Sequence, residues 1–245
     1  MVLQKYCASG NDFLIFHTFK KEDKSALARQ MCDRHYGFGA DGLIALVPHS
    51  ELDFEWLFYN SDGSEASMCG NGSRAAALYA FDNHLAPAMQ SFLTGAGVIK
   101  TEVGADSMVE TELTPPKTML EKFCENGFEW SLIDTGVPHL VAKCEKGFFD
   151  KEMAALMRKK YNANVNFYHF DDEIVWVRTF ERGVEDETLA CGTGMAACAY
   201  DLKAKEDITK TFLIRPKSGE TITIKITGEQ ILFKGEVKRV GSCLV

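Results

Sequence analysis

What this 245-residue sequence lacks narrows the field first. None of its eight cysteines forms a Cys-x-x-Cys pair, the close spacing by which structural zinc sites announce themselves, so no metal is expected. No apolar stretch approaches the ~20 residues needed to span a bilayer. The opening MVLQKYCASGNDFLIF has no basic region leading into a long apolar run and a small-residue cleavage site. A cytoplasmic protein with no membrane association is the expectation, and in that reducing compartment the cysteines default to thiols. Positive charge is also scarce: 27 Lys and Arg against 35 Asp and Glu leave a formal charge of −8, with no basic stripe. Such a chain repels polyanions, which argues against a nucleic-acid partner. The low hydrophobicity and high charge of disordered chains are missing as well, since 46% of residues are hydrophobic and 25% charged. A chain of this length folds as one large domain or as two of roughly 100 to 150 residues.

What is present is an internal repeat. Residues 65–72 read EASMCGNG and residues 187–194 read ETLACGTG. In each copy a Glu lies four residues before a Cys, and Cys-Gly-x-Gly opens an Ala-rich segment, SRAAALYA after the first and MAACAY after the second. The two cysteines, Cys69 and Cys191, lie 122 residues apart, half the chain. A second echo places a small residue and a glycine ahead of an apolar run at Ser9-Gly10 and again at Thr135-Gly136. Two similar halves related by a pseudo-twofold are therefore expected. Residues 1–115 would form the first and 116–236 the second, with the boundary near Pro115-Pro116, which break regular structure, and the tail 237–245 packing on the first.

Alternation and β-branched runs predict strands at 12–18, 42–47, 54–59, 98–103 and 107–113 in the first half. In the second they fall at 130–134, 138–142, 165–170, 174–180, 212–215, 221–227 and 231–234. Helices are predicted at 24–36, closed by Gly37 as a C-cap, and at 70–82, 151–161 and 192–205. The fold class is α+β, a sheet with a central helix in each half.

Each repeated Cys sits at the turn entering a helix, where unpaired N–H groups and the macrodipole favour a thiolate. The glycines that follow let a ligand approach the backbone, whose N–H groups suit a carboxylate. If both helix N-termini met one substrate, a sulfur would lie on each face of its α-carbon. One thiolate would remove the α-proton and the opposite thiol would deliver another. Without a cofactor, the carbanion would be stabilised by hydrogen bonds from the backbone of Gly70, Asn71, Gly192 and Thr193 to the substrate carboxylate. By itself Cys-Gly-x-Gly is equally a tight connection or a plain anion-binding loop. The other six cysteines read as small buried apolar residues.

The stretch 60–74, NSDGSEASMCGNGSR, resembles the first active-site signature of the diaminopimelate epimerase family, and Glu181-Arg182-Gly183 through Cys191-Gly192-Thr193-Gly194 resembles the second. Further matches at 10–13 (GNDF), 37–42 (GFGADG), Pro138-His139 and Val165-Asn166 follow in the family's order, so the resemblance spans nearly the whole chain. It implies interconversion of LL- and meso-2,6-diaminopimelate without pyridoxal phosphate or metal, by a homodimer of two-domain chains. Cys69 and Cys191 would be the catalytic pair. Asn11, Asn60, Asn166, Glu181 and Arg182 would contact the substrate, whose distal ammonium and carboxylate need acceptors and donors together.

The chain departs from the family at Val137, where members often carry Asn, and at Gly42, where some carry Gln. Bland roles remain open for several of these residues: Glu181-Arg182 as a solvated ion pair, Asn60 and Asn166 as turn formers, His139 as a loop cap or as a group that polarises the site. Rival readings are a proline racemase-like enzyme, which would lack polar contacts for a distal group, a redox-responsive binding protein with a reversible Cys69–Cys191 disulfide, and a cysteine hydrolase, for which no His/Cys pairing is legible.

Overall fold

The computed structural model describes residues 1–206 and 211–245 and divides the chain into two compact units. Unit 1 comprises Met1–Thr111 and Gly235–Val245, and unit 2 comprises Glu112–Lys234. In unit 1 the elements run β1 (Val2–Ala8), β2 (Asn11–His17), α1 (Ser25–Cys32), β3 (Gly42–Val47), β4 (Phe54–Asn60), α2 (Gly70–Asp82), β5 (Met89–Thr94), β6 (Gly97–Val103) and β7 (Met108–Leu113). Unit 2 follows with β8 (Lys117–Glu125), β9 (Phe128–Asp134), β10 (Pro138–Lys143), α3 (Lys151–Tyr161), β11 (Asn164–Asp171), β12 (Ile174–Glu181), β13 (Asp186–Thr188), α4 (Gly192–Glu206), β14 (Thr211–Arg215) and β15 (Ile222–Thr227). The long β16 (Gln230–Leu244) begins in unit 2, antiparallel to β15, and ends in unit 1, antiparallel to β1.

The two units repeat one order of pairing. Helix α1 joins the parallel pair β2–β3 and α2 the parallel pair β4–β5; in unit 2, α3 joins the parallel pair β10–β11 and α4 the parallel pair β12–β14. Hairpins lead into both series, β1–β2 and β9–β10. The first closes through Ser9 (φ 59°) and Gly10 (φ 79°), a left-handed pair of the kind two-residue hairpins require, and Gly136 (φ 109°) turns the second. The sequence echo at 9–10 and 135–136 is thus a repeated hairpin.

Helix α2 is buried along nearly its whole length, from Gly70 through Ala80. Ala75, Ala76, Ala77 and Ala80 let it pack closely against Phe13, Ile44, Trp56 and Phe92 on the surrounding strands. A helix apolar on every side belongs inside, and α4, with Ala196, Ala197, Cys198, Ala199 and Leu202 fully buried, has the same character.

Helix α1 ends four residues earlier than the sequence predicts. Asp33 stops it: its Oδ1 accepts from the backbone N–H groups of His35 and Tyr36, both at 2.7 Å, a local turn that competes with further helix. Gly37 is needed for a different reason, since a Cβ there would lie 2.3 Å from the Gln30 carbonyl oxygen. Strands β1, β5, β8 and β13 were not foreseen, and β16 extends far past 231–234. The α+β class stands.

Candidate active site

In unit 1, Cys69 is the N-cap of α2, with extended φ −152° and ψ 119°. Its carbonyl accepts the N–H of Ser73 at 2.8 Å, closing the first turn, and its sulfur accepts the N–H of Gly72 at 3.4 Å. The thiol also lies 3.6 Å from Asn11 Oδ1, which it can reach as a donor. Asn11, at the start of β2, is held in turn by Asp41, to whose Oδ2 it donates at 2.6 Å. Asp41 and Asp12 are braced by Arg34. Burial pushes the Asp12 carboxyl up, but the Arg34 guanidinium and the Lys5 ammonium outweigh that and hold it down at about 2.

Asn71 is 4% exposed and accepts at Oδ1 from Arg74 Nη2 at 2.7 Å. Arg74, fully buried one turn along α2, also donates to Ser9 Oγ at 2.7 Å and to the Glu236 carbonyl. One guanidinium thereby ties the start of α2, the turn before Asn11 and the last strand together. Asn60 ends β4 in an exposed position, its Nδ2 donating to Ser64 Oγ at 2.9 Å.

In unit 2, Cys191 stands where Cys69 stands in unit 1. It precedes α4, its carbonyl accepts the N–H of Met195 at 2.9 Å, and its sulfur lies 3.5 Å from Thr193 Oγ1. Thr193 Oγ1 is 2.9 Å from Nε2 of His139, and the Thr193 carbonyl accepts from Thr135 Oγ1. His139 is fully buried on β10. Asn166 fixes its tautomer: Thr179 donates to Asn166 Oδ1 at 2.8 Å and Leu140 O accepts from Nδ2, so the Nδ2 that lies 3.1 Å from His139 Nδ1 is a donor. Nδ1 accepts, and Nε2 carries the proton and donates to the Thr193 hydroxyl, which lies 3.5 Å from the Cys191 sulfur. Burial, then the nearby Arg182 charge, push the imidazole down to about 3 and keep it neutral.

Asn166 itself is fully buried and its amide is engaged by protein groups. Glu181 closes β12, and Arg182 follows in the turn, held by its backbone N–H to Asn164 Oδ1 and by Nη1 to the Asn162 carbonyl. Gly192 and Gly194 open α4, and a Cβ at Gly194 would lie 2.3 Å from Asn166 Oδ1. Unit 1 thus gathers Asn11, Cys69, Gly70 and Asn71, while unit 2 gathers Cys191, Gly192, Thr193 and Asn166 around His139. Sequence reasoning missed Arg74, Asp41 and Asn164 as organising residues. For Arg74 a signal existed, the three-residue spacing from Asn71 that places both on one helix face. Among the described residues no group of three His, Cys, Asp or Glu side chains could hold a metal ion.

Solved structures share this architecture across the whole chain. A PhzF-family phenazine biosynthesis protein from Bacillus anthracis superposes with TM-score 0.77 at 13% identity, covering 100% of this chain and 99% of that one. A hydroxyproline epimerase from Agrobacterium vitis does so with TM-score 0.76 at 15% identity, covering 100% and 90%. The fold is thus the two-domain α+β fold common to PhzF proteins and proline racemase-like enzymes. Sequence relatives narrow the assignment. The diaminopimelate epimerase family model matches residues 3–119. The diaminopimelate epimerase of Nitratiruptor is 58% identical over 242 residues, 98% of this chain and 96% of its own length. Those of Campylobacter jejuni and Helicobacter pylori are 53% and 42% identical, covering 97% and 98% of this chain and 96% and 95% of theirs. The chain belongs to the diaminopimelate epimerase family, isomerases whose known activity is the epimerisation of diaminopimelate in lysine biosynthesis.

Proposed function

We propose that this protein interconverts LL- and meso-2,6-diaminopimelate by a two-base reaction in which Cys69 and Cys191 serve opposite faces of one α-carbon. The observation that carries this reading is the duplicated setting of the two sulfurs, each just ahead of the first turn of a buried helix, in a chain 58% identical to a diaminopimelate epimerase. One cysteine, as thiolate, takes the α-proton; the other, as thiol, returns a proton to the opposite face; and the two exchange protonation states with each turnover. The helix N-termini bind the substrate carboxylate through backbone N–H groups of Gly70, Asn71, Gly192 and Thr193, where enolate-like charge develops. Asn11 and Thr193 present polar groups to the two sulfurs and favour one protonation state at each. Asn60, Glu181 and Arg182 read the distal amino acid group. Asn166 acts chiefly through His139, which it orients. The reaction proceeds without pyridoxal phosphate or metal, in the cytoplasm, in a homodimer.

The test is incubation of the reduced protein with LL-diaminopimelate in deuterated water, with stereochemical analysis and deuterium counting at the α-carbon. Inverted product should carry one solvent deuteron, and Cys69→Ala and Cys191→Ala should each abolish inversion. A folded, reduced sample that gives neither label nor inversion ends the proposal.

A further inference from the structure

A cavity of about 350 Å³ opens in unit 2, and none of the candidate active-site residues lines it. Its floor is aromatic, built from Phe148, Phe167 and Trp176, with Pro216 beside them. Phe148 and Phe167 meet edge to face at 5.1 Å, so the floor is a fixed surface of ring faces and edges.

The rim is cationic. Lys146, Arg178, Arg215 and Lys217 line the cavity against a single lining carboxylate, Glu145, in a chain whose net charge is −8. The neighbouring acids do not balance these cations. Glu187 serves two of them at once, accepting from Arg178 Nε and Nη2 at 2.6 and 2.8 Å and from Lys217 Nζ at 2.7 Å. Asp171 pairs with Lys146 at 2.9 Å. Arg215 has no ion pair among the described residues; its guanidinium lies 5.0 Å from the Trp176 ring centroid, and Nη2 donates to Thr221 Oγ1 at 3.3 Å. Lys146 Nζ lies 5.7 Å from the same ring.

A concave apolar floor next to uncompensated guanidinium charge is complementary to a flat molecule with one anionic end. We propose that this cavity is a binding site for a small aromatic carboxylate, its ring against Trp176 and Phe148 and its carboxylate at Arg215 and Lys217. The volume equals that of roughly a dozen liquid waters at about 30 Å³ each, which suits a two-ring acid. At the affinity per atom usual for small ligands, a molecule of that size binds with Kd of about 1 mM. This site does not depend on the epimerase reading, because its occupancy is read without turnover.

The probe is 1-naphthoate, titrated into the intact protein and followed by the indole N–H resonances of its three tryptophans. One resonance should shift saturably with a Kd near 1 mM, and it should be the one missing from Trp176→Phe. Arg215→Met should weaken binding about tenfold, and Lys217→Met, which removes no packed ring contact, should weaken it less. The neutral analogue 1-naphthylmethanol should bind at least about tenfold more weakly, as expected when a charge-assisted contact is lost. No saturable shift at 10 mM, equal binding of the alcohol, or unchanged affinity in both variants would each overturn the assignment. Preference for 1-naphthyl phosphate over 1-naphthoate would also overturn it, marking a phosphate site instead.

Discussion

Replacing Gly194 by Ala isolates one packing constraint in the Cys191 half of the site. The added Cβ would lie 2.3 Å from Asn166 Oδ1 and 3.3 Å from His139 Cε1. Asn166 must retreat by about 1 Å to restore van der Waals contact, yet its amide is fully buried and bonded to Thr179, Leu140 and His139. Losing two of those bonds costs about 1 kcal/mol each, and overpacking adds about 1 to 3 kcal/mol. The better helix propensity of Ala returns about 1 kcal/mol. The net is a loss of about 2 to 4 kcal/mol, which at the size of this chain lowers the melting temperature by roughly 5 to 12 °C. Circular dichroism at 222 nm measures it. Two controls calibrate the result: Gly72→Ala, whose Cβ would meet Cys69 Cβ at 3.3 Å and Ile44 and Trp56 at 3.5 Å, should shift melting by far less, and Gly241→Ala, with nothing within 4 Å, should be nearly silent. A Gly194→Ala protein that melts within about 2 °C of the wild type would refute the claim that Asn166 is rigidly held.

Thr193→Val keeps the shape but removes the hydroxyl between His139 and Cys191; kcat for diaminopimelate inversion should fall about tenfold or more, the buried His139 Nε2 loses its acceptor at a cost of about 1 to 3 kcal/mol seen as a lower melting temperature, and Thr193→Ser should restore most of both. Arg74→Met leaves buried acceptors on Asn71, Ser9 and Glu236 without their donor, so urea unfolding should show about 3 kcal/mol lost or more. Folding keeps His139 neutral with a pKa of about 3, below its unfolded value; its contribution is present above pH 6.5 and is lost as pH falls toward 3, a decline that His139→Gln should flatten in urea midpoints between pH 7 and 4. Asp12 is likewise held down, at about 2, so its contribution of about 1 kcal/mol after solvent screening is present above pH 4 and lost below it, and Asp12→Asn should remove only that lower part of the acid limb.

The elements legible in the sequence were those whose cause is local. Residues 42–47, 70–82 and 151–161 match β3, α2 and α3 because an unbroken apolar run, an Ala-rich segment after a capping turn, and an Asp150 cap with basic residues in the last turn each act over a few residues. The repeat gave Cys69 and Cys191 matching helix-entry settings for the same reason. Strand β8 was missed because Lys117–Glu125 is exposed over most of its length, so burial imposes no alternation. Helix α1 was overextended because the competing turn depends on one side chain, Asp33. The organising contacts of the site were hidden by distance along the chain: Arg74 reaches Ser9 across 65 residues, and His139 reaches Thr193 across 54.

The path of β16 bears on how the protein is made. Unit 1 draws its last strand from Gly235–Val245, which pairs with β1 through contacts such as Ala8 with Val237 and Val2 with Leu244, and Arg74 bonds to the Glu236 carbonyl. During synthesis, therefore, the amino-terminal lobe emerges from the ribosome with a vacant strand position and a buried arginine lacking one acceptor, and it stays so while all 123 residues of the other lobe are translated. The later-made lobe has every strand it needs once Lys234 is out, so it is the one able to finish first, an inversion of the usual amino-to-carboxyl order of domain maturation.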